Sequence, residues 1–188
     1  MGTYPLSPKE PRYDWVILDT ETTGLDCLAE IVEISIIAAD GRVLLDTLVR
    51  PLNPIPQVAT AIHHITDVMV AAAPTFSQVY AELVEQIQGR MVVTYNAAFD
   101  RRMVQQALQR SKLPPLSQVR WTCAMQQYAR YMGEWSPKWQ AYRWPRLSGG
   151  DHSALGDCRA TLRLLQQMAA SHLSMEENYQ FLSVSEKG

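Results

Sequence analysis

The sequence predicts an α/β domain in which a mixed five-stranded sheet is flanked by helices. Three observations lead there. The first quarter of the chain is rich in strand signals, with β-branched residues dominating 31–39 (Ile31, Val32, Ile34, Ile36, Ile37). Asp40-Gly41 then separates two apolar runs, a hairpin signal. From Thr75 onward the pattern changes to helix, strand, helix, strand, helix, so later strands join the sheet through helical crossovers.

Taken in order, Trp15-Val16-Ile17-Leu18 reads as a buried strand with Asp19 at its C-terminal tip. Ile31–Ala39 and Val43–Val49 form the second and third strands, antiparallel across the Asp-Gly turn. Pro51, Pro54 and Pro56 mark a loop. Phe76, Val79, Tyr80, Leu83, Val84 and Ile87 repeat at helical spacing between Thr75 and Gln88, and Gly89 closes that helix. Met91–Tyr95 is a strand, Phe99–Leu108 a helix, Val119–Thr122 a short strand and Ala124–Met132 a helix. A long helix from Ser153 to His172 follows, with Leu155, Leu162, Leu165 and Met168 on its apolar face. Residues 1–12, with Pro5, Pro8 and Pro11, read as an extended lead-in, 13–173 as the domain and 174–188 as a polar tail.

The 188 residues suffice for one domain with its own core. A hydrophobic fraction of 47% and a net charge of −2 exclude bulk disorder and a protein coated in basic charge. A local basic patch is still allowed. Cys27, Cys123 and Cys158 are odd in number and form no CxxC pair, which points to a reduced, cytoplasmic protein without a disulfide framework or zinc finger. No apolar run reaches the ~18 residues of a membrane span, and the first residues lack a secretory core. Leu6 stands where a myristoylation signal needs Ser or Thr.

The placement of acids is the informative feature. Asp19 and Glu21 lie two apart, within Asp19-Thr20-Glu21-Thr22-Thr23-Gly24, and in extended chain such residues share a face. Paired carboxylates repel unless a cation sits between them, and an all-oxygen pair favours magnesium or manganese over zinc. Asp100 follows a strand at a helix start, and Asp157 stands five residues after His152 in the last helix. Singly, each has a plain structural explanation: a solvated turn, a helix N-terminal acid, a cap region. Together, four carboxylates at strand ends and helix starts converge on one crevice and call for about two divalent cations. Histidine titrates near neutral pH and suits a general base beside them.

In this order, the segments DTETTG, NAAFD and H-x4-D resemble the three motifs of the DEDDh exonucleases, the DnaQ-like family that includes proofreading subunits, RNase T and oligoribonucleases. His63-His64-Ile65-Thr66 resembles the family's HGIT segment, with His64 in place of glycine. The resemblance covers about Tyr13 to Ala170 and implies a ribonuclease-H-like fold. It also implies 3′→5′ hydrolysis of single-stranded nucleic acid, with release of nucleoside 5′-monophosphates and two cations, Mg2+ or Mn2+. By position, Asp19 would bridge both ions, Glu21 and Asp157 would hold one, Asp100 would serve the other, and His152 would be the base. Ser153 stands where the sister group has its tyrosine. Thr22, Thr23, Gly24 and Leu25 match the segment that meets the terminal nucleotide, and Asn96 and Phe99 match residues lining the same cleft. His63 and His172 do not fall on the base position. His64 either caps its loop or touches substrate.

Trp135, Trp139 and Trp144 lie among Arg130, Lys138, Arg143 and Arg146, with Glu134 the one acid between 130 and 146, a local balance of +3. Single-stranded nucleic acid, a packed loop and a homodimer contact all fit that composition. DNA is the expected substrate, with RNA trimming and service as a DNA polymerase or repair partner left open. A non-catalytic nucleic-acid or polymerase-binding module on the same fold would be expected to have lost at least one acid or the histidine, and none is missing. A metal-binding regulatory or scaffold protein with no nucleic-acid role is the third reading, which a lack of dinucleotide binding in calcium would favour.

Overall fold

The computed structural model describes residues 15–185, with side chains described to residue 171. The lead-in at 1–12 and the side chain of His172 therefore lie outside the described residues. Three strands come first: β1 (Trp15–Thr22), β2 (Ile31–Ala38) and β3 (Val43–Leu48). Two short helices, α1 (Gln57–His63) and α2 (Asp67–Val70), precede α3 (Phe76–Ile87) and β4 (Met91–Thr94). The chain continues through α4 (Ala97–Arg110), β5 (Arg120–Cys123), α5 (Ala124–Met132), a two-stranded ribbon of β6 (Trp135–Ser136) and β7 (Ala141–Tyr142), and α6 (Ala154–Ser185).

The sheet is mixed, in the order β3-β2-β1-β4-β5. β1 pairs antiparallel with β2 and parallel with β4, and β4 pairs parallel with β5. The Asp40-Gly41 turn joins β2 to β3 as expected, with Gly41 at φ 88°, a value that favours glycine. Strand alternation divides the core. Val16 and Leu18 pack with Ile34, Ile36 and Val92 against α3 and α4. Ile17, Ile37 and Val93 face the other way, against Ala124 of α5 and Cys158 and Leu162 of α6. The buried Cys158 thiol donates to the carbonyls of Ile17 (3.7 Å) and Ser35 (3.5 Å), fixing α6 across β1 and β2.

Several elements depart from the sequence pattern. The prolines at 51–56 mask α1 and α2, which cover Val32 with Ile55, Ala59, Ile65 and Val70. In α1 the large apolar residues Val58 and Ile62 face solvent while Ala59 and His63 are buried, so hydrophobic periodicity points the wrong way. The last helix runs beyond His172 to Ser185, since neither glycine nor proline interrupts residues 157–187. Among the described residues, no helix is long and apolar enough to cross a membrane.

His64 is the C-cap of α1. It adopts φ 62°, and its N–H bonds the carbonyl of Thr60 at 2.8 Å. The turn is one that glycine enters freely and histidine enters at a cost. His64→Gly is expected to raise stability by about 0.5–1 kcal/mol, net of glycine's extra chain entropy, with hydrolysis unchanged. A lower melting temperature in thermal denaturation would contradict this. Neighbouring His63 is buried and takes the Ile65 N–H on Nδ1 at 3.0 Å, and burial holds its pKa below the usual histidine value.

Candidate active site

β1 places the first two acids by alternation. Asp19 and Glu21 continue the face of Ile17, toward α6, while Thr20 faces α4. A register shift between Glu21 and Thr22 ends the regular pairing with β2 at this point. Asp100, buried in the first turn of α4, accepts a hydrogen bond from Thr20 Oγ1 at 2.9 Å. Asp157 lies in the first turn of α6.

A cleft of about 630 Å³ brings these together, lined by Asp19, Glu21, Asp100, His152 and Asp157 among others. Glu21, His152 and Asp157 each offer a ligand atom within 4.8 Å of the others, a grouping that could hold a metal ion. Asp19 and Asp100 share the cleft but lie outside that tight group. Asn96 and Phe99 line the cleft too. Thr22, Thr23, Gly24 and Leu25 form the turn beside it and are not among its walls. Thr22 Oγ1 donates to the Gly24 carbonyl, and Thr23 Oγ1 accepts from the Glu30 N–H. Arg102 ties this turn to α4, donating to the Leu25 carbonyl at 3.0 Å and stacking over Phe99 at 5.5 Å. A Cβ on Gly24 would meet nothing closer than Ala29 Cβ at 4.0 Å, so the fold itself does not demand glycine there.

Electrostatics set these acids apart from an ordinary buried acid. Glu30 is buried nearby, but it accepts the N–H groups of Leu52 and Asn53 and lies 3.8 Å from Arg110. Among the described residues, Asp19 and Glu21 accept no hydrogen bond, and no lysine or arginine pairs with Asp19, Glu21, Asp100 or Asp157. Burial, and then the neighbouring carboxylates, push Asp19 well above the usual carboxylate range. The same causes push Glu21 up to about 8, and burial pushes Asp100 up to about 7 despite the Thr20 bond. Burial also raises Asp157. An unneutralised set of oxygen donors of this kind fits hard divalent cations.

His152 sits on a strained loop. Its φ is 60°, in the left-handed region that non-glycine residues avoid. Asp157 holds it there, with Oδ1 accepting the backbone N–H groups of Asp151 (3.0 Å) and His152 (3.3 Å). Asp151 in turn accepts from the Ser153 N–H and hydroxyl. Gly150 lets the loop close on the acid, since a Cβ there would meet Asp157 Oδ1 at 2.5 Å.

Glu33 is a residue of the site that the motifs do not single out. It pairs with Glu21 across β1 and β2, and its Oε2 accepts the Ala154 N–H at 2.7 Å. An acid thus anchors the N-terminus of α6 directly after His152, where the helix leaves N–H groups unpaired. A charge inside the apolar run 31–39 was the available signal. Glu33→Ala is expected to let the loop drift and slow turnover about ten- to a hundredfold. Glu33→Gln keeps an acceptor and should recover most of it, as steady-state kinetics on the two variants would read.

A family model for RNase T-type exonucleases matches residues 16–165. The chain belongs to this exonuclease family. Exonucleases of the family act on nucleic acids and depend on divalent metal. An uncharacterized exonuclease of Escherichia phage 186 is 39% identical over 172 residues, covering 83% of this chain and 88% of its relative. The DNA polymerase III subunit epsilon of Treponema pallidum is 31% identical over 179 residues, covering 85% and 83%. Among solved structures, exonuclease X in complex with 5′-overhanging duplex DNA shares 32% identity at a TM-score of 0.60, over 84% of this chain and 92% of that one. An Escherichia coli exonuclease I–ssDNA complex reaches a TM-score of 0.67 at 15% identity, over 92% and 43%, and shows the shared fold.

Proposed function

We propose that this exonuclease removes nucleotides one at a time from the 3′ end of single-stranded DNA, releasing nucleoside 5′-monophosphates. The observation that carries the reading is the meeting of Asp19, Glu21, Asp100, Asp157 and His152 in one cleft, with no lysine or arginine paired to these acids among the described residues. DNA is favoured by the 32% identity to exonuclease X, whose structure holds DNA, and by a 33% identical Escherichia coli relative named exodeoxyribonuclease 10.

Asp19, Glu21, Asp100 and Asp157 would hold two divalent cations, Mg2+ or Mn2+, which neutralise the acids and stabilise charge building on the phosphate. Phe99 and Asn96 take the terminal nucleotide against α4, and the Thr22–Leu25 turn, tied to α4 by Arg102 beside Phe99, meets it where Gly24 leaves the backbone uncovered. His152 stands at the exposed rim and takes the proton from the attacking water. Water oxygen bonds to phosphorus as the bond from phosphorus to the 3′-oxygen breaks. The shortened strand keeps that oxygen, which takes a proton from solvent to become its new 3′-hydroxyl, and the phosphate leaves on the 5′ side of the freed nucleotide. Asp157 contributes twice, as a ligand and as the acceptor that fixes the backbone of His152.

Chromatography of the products tests the reading. Nucleoside 5′-monophosphates from single-stranded DNA in magnesium or manganese are expected. Products bearing 3′-phosphates would contradict it, and faster hydrolysis of matched RNA would move the substrate to RNA.

A further inference from the structure

We infer that the β6–β7 ribbon is a stacking platform for the single-stranded part of the substrate that lies 5′ of the cleft. The inference rests on the 3′-exonuclease reading for its polarity, since a strand whose 3′ end is in the cleft leaves only its 5′ part outside.

The ribbon exposes what a folded core normally hides. Trp139 is 72% exposed, Trp144 66% and Trp135 50%, whereas Trp15 and Trp121 pack against the two faces of the sheet. Two of the exposed rings, Trp135 and Trp139, have partners of their own. Trp135 and Tyr142 pair across the ribbon and meet edge to face at 5.3 Å. The turn is closed by Trp139 N–H to the Ser136 carbonyl (3.2 Å) and by Gln140 Nε2 to the Pro137 carbonyl (2.8 Å). Lys138 Nζ lies 4.8 Å over the Trp139 ring. A hollow of about 730 Å³ opens beside Trp139, Tyr142 and Trp144, with Lys138 and Arg143 on its walls.

Charge and continuity choose the occupant. Aromatic faces alternating with cations suit unpaired bases on a phosphate backbone, because every base has a face to stack and every linkage a charge to neutralise. Paired bases hide those faces, so a duplex fits less well. The segment 130–146 carries a balance of +3 in a chain of −2. Its path also leads to the cleft. Trp144 is followed directly by Pro145, Arg146 and Leu147, which line the cavity containing the carboxylates. Tyr95, at the end of β4, donates to the Pro145 carbonyl at 2.7 Å and holds the ribbon's exit against the site. A strand leaving the cleft past Arg146 meets Trp144 next.

Affinity for a fluorescent single-stranded 20-mer, measured in calcium, is compared with hydrolysis of a dinucleotide in magnesium. The Trp139→Ala/Trp144→Ala protein is expected to bind the 20-mer at least about tenfold more weakly while hydrolysing the dinucleotide as the wild type does. Lys138→Gln/Arg143→Gln should flatten the salt dependence of 20-mer binding, by about 0.7 in the logarithmic slope per lost phosphate contact. Unchanged 20-mer affinity and salt slope in both variants, with dinucleotide hydrolysis intact, would overturn the inference. So would a wild-type dimer that the tryptophan variant converts to monomer without loss of 20-mer affinity, which would give the patch to a second copy. Wild-type protein that hydrolyses neither substrate would overturn the exonuclease reading instead, and 20-mer affinity would still report on the platform.

Discussion

Asp19→Asn is expected to abolish hydrolysis and, in metal-free protein, to raise the melting temperature. Both halves follow from the same crowding. Asp19 is pushed well above the carboxylate range by burial and by Asp100, Asp157 and Glu21, and Glu21 itself reaches about 8. An acid raised in the folded state is stabilising below its unfolded pKa of about 4, and that stability is lost as pH rises through the folded values. Metal-free wild type should therefore lose stability between about pH 4 and pH 8. The Asp19→Asn variant, whose new amide cannot ionise, should flatten the loss. Cation binding acts in the opposite direction. At a hundred times its dissociation constant a cation adds about 2.7 kcal/mol, or roughly 5–10 °C in a chain this size. The variant should gain far less and turn over about 10³-fold more slowly or worse. Thermal melts with and without manganese at pH 5 and 8 check the stability half. A metal-free variant no more stable than wild type at pH 8 would contradict it.

His152→Ala separates two roles that the geometry places close together. Its ring lies in the group with Glu21 and Asp157 that could hold a metal, and also at the rim where a base belongs. As a base, its loss should slow hydrolysis about 10²–10⁴-fold and leave the manganese-induced stabilisation in place. Loss of that stabilisation would make His152 a ligand instead. Wild-type turnover in the variant would remove it from the mechanism.

Residues whose placement comes from local spacing were legible in the sequence. Strand alternation alone puts Asp19 and Glu21 on one face, and the Asp40-Gly41 turn fixes the pairing of β2 with β3. What escaped depends on contacts between distant segments. Glu33 matters because the register of β1 and β2 sets it opposite Glu21 and because α6 arrives 121 residues later to place the Ala154 N–H on it. Gly150 looks like an ordinary loop glycine until Asp157 closes on it. α1 was hidden because its buried residues are Ala59 and His63 while its large apolar ones face out. The ribbon strands β6 and β7 have two residues each, too short for any periodicity. His64 at the HGIT position explains itself only through its backbone angle, since composition cannot distinguish a left-handed cap from a substrate contact.

Hydrolysis from the 3′ end by this cluster of acids can be read on a single gel. A 5′-labelled single-stranded DNA is degraded in magnesium or manganese, with Asp19→Asn protein in the adjacent lane. A ladder that shortens stepwise from the 3′ end with wild type, and an intact strand with the variant, is the expected result. Immediate release of the labelled 5′ nucleotide, or an equal ladder from both proteins, would contradict it.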